Sequence, residues 1–105
     1  MTVYVLNTPI LTTYGEYRFE KIDLRTARAI LGHEFVSAVG HPATAEFLSQ
    51  ILGVPIPTSR MAIRMAPGDS AIVFRILERL PEGKILSVEE IQRIPYEIGY
   101  LQRIS

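Results

Sequence analysis

The sequence predicts one α/β (α+β) domain, built as a mixed sheet of about five to six strands with helices packed on it. Three observations predict this fold class. Short β-branched or alternating runs indicate strands, capped apolar stripes indicate helices, and the two kinds of segment follow one another in the order β-β-α-β-α-β-β-α-β. The 105 residues, 48% of them hydrophobic, suffice for a single domain over residues 1–105 with its own core.

The first half of the chain combines strands with one helix. The run TVYVL (2–6) is rich in β-branched and aromatic side chains and predicts the first strand, and EYRFEKI (16–22) alternates as a half-buried strand does. Asp23 is a suitable N-cap for an apolar stripe that stops before Gly32, which predicts a helix. EFVSAV (34–39) predicts the next strand.

The middle of the chain begins with a clearly marked helix. Pro42 suits the first helical position, and Gly53 marks the end of the apolar stripe. The run RMAIRM (60–65) alternates and predicts a strand. A turn at 66–69 is expected to pair it as a hairpin with SAIVFRIL (70–77), whose continuous apolar character is typical of a central strand.

The last part of the chain predicts a loop, a short helix and a final strand. The stretch ERLPEGK (78–84) is polar and contains a turn signal. Ser87 and Glu90 form the S-x-x-E pattern of a capping box, which marks the start of a helix. The run YEIGYLQRI (96–104) predicts a last extended segment.

Charge and composition exclude several classes of protein. Eleven basic residues balance eleven acidic ones, whereas proteins that coat long nucleic acids carry a clear basic excess. The chain has no cysteine, which excludes disulfides and thiolate metal sites. No apolar run approaches the ~20 residues of a membrane span, and the N-terminus lacks the charged region of a signal peptide. We therefore expect a cytoplasmic protein that does not contact a membrane.

The segment SAVGHPATAEFLSQILG (37–53) places a histidine where a strand gives way to a helix. The first turn of a helix offers free N–H groups and the positive end of the helix dipole, which together bind phosphate. Gly40 lets a ligand approach the backbone, and Thr44 adds a hydroxyl group. A bound phosphodiester favours the protonated imidazole of His41, which would then act as a general acid toward a leaving 5′-oxygen. The alternative is a structural histidine, and the dipole alone explains His33 near a helix C-terminus.

Basic residues are the second indication of function. Arg60 and Arg64 share one face of the predicted strand, and Arg79 lies with Glu82 in the loop that follows the central strand. Arginine binds phosphate in a bidentate manner, although solvated surface charge is the alternative for each residue. No His, Asp and Glu spacing suits a metal, and no Walker A or G-x-G-x-x-G motif occurs, so no cofactor is expected. RNA suits such a site, because its own 2′-hydroxyl can attack the phosphate.

Two long segments, SAVGHPATAEFLSQILG and SRMAIRMAPGDSAIVFRILERLPEGKILSVEEI, resemble the small viral type III anti-CRISPR ring nuclease family. That family also has bacterial host-encoded members and was first known from archaeal viruses as proteins of unknown function. The resemblance extends from about Asn7 to Ile91 and is strongest at G-H-x-x-T and at G-D-x-A…R-L-x-E-G-K. It implies a metal-independent homodimer, with the site at its two-fold interface, that cleaves cyclic tetra-adenylate to linear di-adenylate with cyclic phosphate ends. This reaction switches off type III CRISPR signalling.

The resemblance also implies roles for individual residues. His41 matches the catalytic histidine that protonates the leaving 5′-oxygen. Arg79 and Glu82 match a pair on a loop that closes over the ligand, and Arg60 matches an arginine that helps to bind it. Asn7 matches the asparagine after the first strand.

Two other classes of function stay open on the sequence. A sponge or sensor would hold a cyclic oligonucleotide without cutting it, although such a binder has no need of a proton donor like His41. A structural or interaction protein would use His41 only as an N-cap and would bind no nucleotide. Origin from a virus or from a host is open in the same way, because the chemistry is the same in both.

Overall fold

The computed structural model describes residues 2–9, 13–32, 34–77 and 87–105. Within these ranges it contains a five-stranded mixed sheet and three helices, which confirms the predicted fold class. The strands are β1 (Val3–Leu6), β2 (Tyr17–Ile22), β3 (Val36–Ala38), β4 (Ser70–Ile76) and β5 (Tyr96–Arg103). The helices are α1 (Leu24–Leu31), α2 (Pro42–Leu52) and α3 (Val88–Arg93).

Parallel pairing organises one side of the sheet. The strand order is β2-β5-β4-β1-β3, and β1 lies parallel to both of its neighbours, β3 and β4. Leu6 is paired with Ala38 on one side and with Val73 on the other. β5 then continues the sheet as the antiparallel neighbour of both β4 and β2. The prediction that 70–77 forms a central strand is confirmed, because β4 is hydrogen-bonded along both edges and is mostly buried.

The three helices cover one face of the sheet. Alternate residues of β1, β4 and β5 pack there against the apolar stripes of the helices and form the main core. At its centre, the ring centroid of Phe74 on β4 lies 6.0 Å from that of Phe47 on α2 and 5.4 Å from that of Tyr96 on β5. Edge and tilted contacts of this kind add to the free energy of area burial. They fasten α2 to the middle of the sheet.

The alternating segment 60–65 is not a strand, so the predicted hairpin is wrong. Both edges of β4 are already paired, with β1 and with β5, and none is left for a hairpin partner. The segment lies instead against the face that the helices leave open, where Met65 is fully buried and Ile63 packs beside it. The predicted turn is present, since the amide of Asp69 donates to the carbonyl of Ala66 at 2.9 Å.

The sequence signals for helix ends are confirmed. The side chain of Asp23 accepts from the amide of Thr26 at 2.7 Å, and Ser87 and Glu90 form a reciprocal capping box. α2 ends at Gly53, whose φ of 71° lies in the left-handed region that favours glycine. The predicted loop at 78–84 lies outside the described residues.

The carboxylate of Asp69 joins the start of β1 to the turn before β4. Its Oδ1 accepts from the amide of Thr2 at 2.9 Å, and its Oδ2 accepts from the amide of Ala66 at 2.8 Å. The residue is 8% exposed. The hydrogen bond from Ala66, followed by that from Thr2, holds the pKa of this carboxyl below its ordinary value of 3.8. Asp69 therefore helps to set the parallel register of β1 and β4 where both strands begin.

We expect Asp69→Asn to lower the free energy of unfolding by about 2 kcal/mol at neutral pH, because the amide accepts only one of the two hydrogen bonds and carries no charge. Folding lowers the pKa of Asp69, so its carboxylate stabilises the fold above the ordinary value. That stabilisation is lost as the pH falls through the pKa of the folded state. Urea unfolding of both proteins from neutral to acidic pH measures the two effects.

The difference between wild type and Asp69→Asn should shrink toward the acidic end of the series. Glu46→Gln, at an exposed position on α2, controls for the removal of one negative charge. A difference that persists undiminished in acid would show that the carboxylate hydrogen bonds are not its origin.

Candidate functional site

The carboxyl ends of the parallel strands bring several predicted site residues to one edge of the sheet. Asn7 follows β1 directly, and Gly40 and His41 come shortly after β3. Because Leu6 is paired with Ala38, the two chain segments leave the sheet beside each other. Ligand sites in sheets with parallel strands commonly lie outside their carboxyl ends. We define this region, with the start of α2, as the carboxyl edge.

His41 is the N-cap residue of α2, as the sequence predicts, and it is exposed. Its backbone is extended, with φ −120° and ψ 121°, and its carbonyl accepts from the amide of Ala45 at 2.9 Å. The imidazole makes no capping hydrogen bond to the helix. His41 is therefore the N-cap by its backbone alone, and its imidazole does not stabilise the start of the helix.

The first turn of α2 keeps its positive electrostatic character. Pro42 occupies the first helical position and has no N–H, so the amide donors of this turn are those of Ala43 and Thr44. The turn contains no acidic residue, although acidic side chains are favourable at this place in a helix. Thr44 is only 8% exposed, so little of its side chain is open to a ligand from solution. The amides and the dipole are available to an external anion.

Arg60 is held at the carboxyl edge by a short strap, residues 57–60. The strap runs parallel to the end of β3, with an isolated bridge between Thr58 and Val39 and a hydrogen bond of 2.8 Å from the Ser59 amide to the Val39 carbonyl. Arg60 then donates from Nε to the carbonyl of Gly40 at 3.0 Å. The exposed guanidinium is thereby fixed next to the residue that precedes His41.

Other candidates are not part of this arrangement as described. Arg79, Glu82 and His33 lie outside the described residues, so their predicted roles stay predictions. Arg64 is exposed, but it shares no strand face with Arg60, because the segment that carries both is not a strand.

The chemical groups described at the carboxyl edge are an imidazole, backbone amides, a carboxamide and a guanidinium. Over residues 2–9, 13–32, 34–77 and 87–105, no group of three or more His, Cys, Asp or Glu side chains is arranged to hold a metal ion. Among the helices in the same ranges, none is both long and apolar enough to cross a membrane.

Sequence reasoning missed the strap and its contact with Gly40. The sequence makes Arg60 a candidate ligand-binding residue only because it is an arginine. Its place on a predicted strand gives no reason to expect a contact with Gly40. The contact depends on a single non-local backbone bridge, between Val39 and Thr58, which leaves no periodic pattern in the sequence. Pro55 and Pro57, which keep the chain extended ahead of the strap, are the only local signal that points to it.

Comparisons with known proteins agree with the resemblance drawn from the sequence. A family model described as STIV B116-like matches residues 3–98. Protein ORF117 of Acidianus two-tailed virus is 32% identical over 100% of this chain and 96% of its own length. YddF of Bacillus subtilis (strain 168) is 33% identical over 100% of both chains. B116 of Sulfolobus turreted icosahedral virus shares the fold, with a TM-score of 0.72 at 23% identity over 98% of this chain and 100% of its own.

We expect His41→Ser to raise the free energy of unfolding by about 1 kcal/mol, because a serine hydroxyl at the N-cap accepts from an amide of the first turn and the imidazole does not. Urea unfolding of wild type, His41→Ser and His41→Ala measures the change, with alanine expected near wild type. A large loss of stability in both variants would show instead that the imidazole makes a contact on which the fold depends.

Proposed function

The chain belongs to the STIV B116-like family, and from this premise we propose that it is a metal-independent ring nuclease acting on cyclic tetra-adenylate. The products are linear di-adenylates that end in cyclic phosphates. One observation carries the proposal. The exposed imidazole of His41 stands at the start of α2, beside unneutralised amide donors and the guanidinium of Arg60. This combination suits a phosphodiester better than it suits a neutral ligand.

The proposed reaction uses the ribose 2′-hydroxyl of the ligand as the nucleophile. The 2′-oxygen forms a bond to the adjacent phosphorus, its proton passes to solvent, and the bond from phosphorus to the 5′-oxygen breaks. Protonated His41 gives its proton to the departing 5′-oxygen, which otherwise leaves as a poor alkoxide. The amides of Ala43 and Thr44 and the terminal nitrogens of Arg60 stabilise the charge that develops on the non-bridging oxygens.

The remaining residues of the carboxyl edge have binding roles in this proposal. Asn7, which is half-buried directly after β1, offers a carboxamide that can both donate to and accept from an adenine or a ribose. Gly40 leaves room for the ligand beside the backbone. Arg79 and Glu82, in the sequence between β4 and α3, keep the binding role that the family resemblance implies.

A homodimer fits the symmetry of the ligand. A two-fold axis presents two copies of every site residue, and a four-fold ring presents equivalent phosphates to both. Two His41 side chains would then cut opposite bonds of one ring and release two di-adenylates. A monomer would contact one phosphodiester at a time and would release a linear tetra-adenylate first.

We expect wild type to turn over excess cyclic tetra-adenylate in the presence of EDTA, while His41→Ala binds the ring and loses about 10²–10⁴-fold in rate, the usual contribution of a general acid. Chromatography of the products over time measures turnover, and fluorescence polarisation measures binding. His33→Ala is the matched control, since it removes the other histidine of the chain.

Each alternative function gives its own result in the same experiment. Tight stoichiometric binding without cleavage by wild type would identify a sponge or sensor. Neither binding nor cleavage would identify a structural or interaction protein in which His41 is only an N-cap. Cleavage by His41→Ala at the wild-type rate would show that the protein is a ring nuclease but that His41 is not its general acid.

Titration calorimetry with His41→Ala should give one ring bound per two chains, because the proposed site is completed by the second copy. Sedimentation of the same sample should show a dimer before and after ligand is added. A ratio of one ring per chain would place a complete site in each copy and would contradict the shared site.

A further inference from the structure

We propose that Arg60 is a positioning residue for His41, acting through the carbonyl of Gly40 rather than by its charge alone. The hydrogen bond from Arg60 Nε fixes the peptide that leads into His41, and so fixes the direction in which the imidazole leaves the N-cap. This inference rests on the proposed function of the same site. It assigns the nitrogen nearest the aliphatic stem to the protein backbone and the two terminal nitrogens to the ligand.

Hydrogen bonds hold the strap that carries Arg60 against the segment around β3. The hydroxyl of Ser37 donates to the carbonyl of Pro57 at 2.6 Å, and the amide of Ser59 donates to the carbonyl of Val39 at 2.8 Å. Val39, the residue directly after β3, is fully buried and belongs to the core, so the strap is hydrogen-bonded to a buried part of the chain. Arg60 adds a side-chain hydrogen bond directly after the isolated bridge of the strap, and the carbonyl that accepts it is that of Gly40.

Gly40 is shaped to receive the arginine stem. A Cβ atom built on Gly40 would lie 3.0 Å from the Cγ of Arg60, closer than carbon atoms normally pack. The φ of Gly40 is not positive, so its backbone conformation does not require glycine. The absence of a side chain at this position is explained by the close passage of Arg60.

The rate of proton transfer depends on where the general acid lies relative to the leaving oxygen. Proton transfer needs the imidazole within hydrogen-bonding distance of the leaving oxygen, and a misplacement of about 1 Å costs up to ~100-fold in rate. His41 has no capping bond of its own, so its backbone is the part of the residue that neighbouring groups can fix. The peptide between Gly40 and His41 is the part that Arg60 contacts.

Three substitutions of Arg60 separate position from charge. In Arg60→Gln, the side-chain amide nitrogen occupies the place of Nε, so the donor to Gly40 is kept and the charge is lost. Arg60→Lys keeps the charge but puts a methylene where Nε was. Arg60→Met is unbranched and loses both the donor and the charge.

In steady-state kinetics with cyclic tetra-adenylate, kcat should be highest in the variant that keeps the hydrogen-bond donor to the Gly40 carbonyl. We expect Arg60→Gln to raise KM and to lose less of kcat than the other two variants, because it gives up the charge and the terminal nitrogens but keeps the hydrogen bond to Gly40. We expect Arg60→Lys and Arg60→Met to lose about tenfold or more in kcat, through misplacement of His41. The opposite ranking, with lysine active and glutamine impaired in kcat, would overturn the proposal and leave Arg60 as a charge.

Gly40→Ala tests the same contact from the other side. Its Cβ would force the Arg60 stem to shift by a few tenths of an ångström, so kcat should fall in the same direction as in Arg60→Met but by less. The double variant Gly40→Ala/Arg60→Met should lose no more than Arg60→Met alone, because both substitutions act on one hydrogen bond. Losses that multiply in the double variant would show two independent effects and would also overturn the proposal.

Measurements on the free protein keep this test separate from the ring nuclease assignment. The carbonyl ¹³C shift of Gly40 reports the hydrogen bond, and the three-bond HN–Hα coupling of His41 reports its φ, which is −120° in the intact site. Both should be retained in Arg60→Gln and should change in Arg60→Lys and Arg60→Met. If wild type fails to cleave the ring, the proposed function falls and these two signals still decide whether Arg60 positions His41.

Discussion

The parallel pairing of β1 with β3 and β4 is the constraint on which the candidate site depends. Three strands that run in one direction deliver their carboxyl ends to one edge, so residues far apart in the sequence become neighbours without a long loop to carry them. Asn7 and Gly40 are brought to the same edge of the sheet in this way. The same pairing is fastened at its opposite end by Asp69, whose carboxylate joins the starts of β1 and β4. Hydrogen bonds from backbone amides to a carboxylate at the opposite end of the strands thus support the geometry at the carboxyl edge.

The two faces of the sheet are covered by different means, and the difference shapes the site. Helices bury one face, while the extended segment 60–65 lies against the other and fully buries Met65. Because this segment crosses a face instead of joining an edge, it is free to start beside β3, where the strap holds Arg60. A hairpin with β4 would have kept the arginine away from Gly40. The position of segment 60–65 against a face of the sheet therefore explains both why the strand prediction is wrong and why Arg60 lies beside Gly40.

Most of the fold could be predicted from the sequence because its signals are local. The caps at Asp23 and Ser87, Pro42 at the start of α2 and the apolar run of β4 each specify an element without reference to the rest of the chain. Segment 60–65 fails the same reasoning, since alternation shows that one side is buried but not whether the backbone is paired. At the site, His41 could be predicted from its own neighbours. The contact of Arg60 with Gly40 could not, because it joins segments about twenty residues apart in the sequence.

The start of α2 departs from the rules that the other two helices obey. α1 and α3 begin with side chains that cap their first amides, and α3 adds two acidic residues in its first turn. α2 begins with a histidine that makes no capping bond and has no acidic residue in its first turn. α2 has the start signal of Pro42 but no side-chain cap, and because α1 and α3 both have such a cap, its absence at α2 is informative. A capping side chain would occupy the amides and an acidic residue would neutralise the dipole, and either would weaken the anion binding that the proposed function requires beside His41. Under the proposed function, these unsatisfied amides bind the ligand, and the helix gives up the stability that a side-chain cap would add.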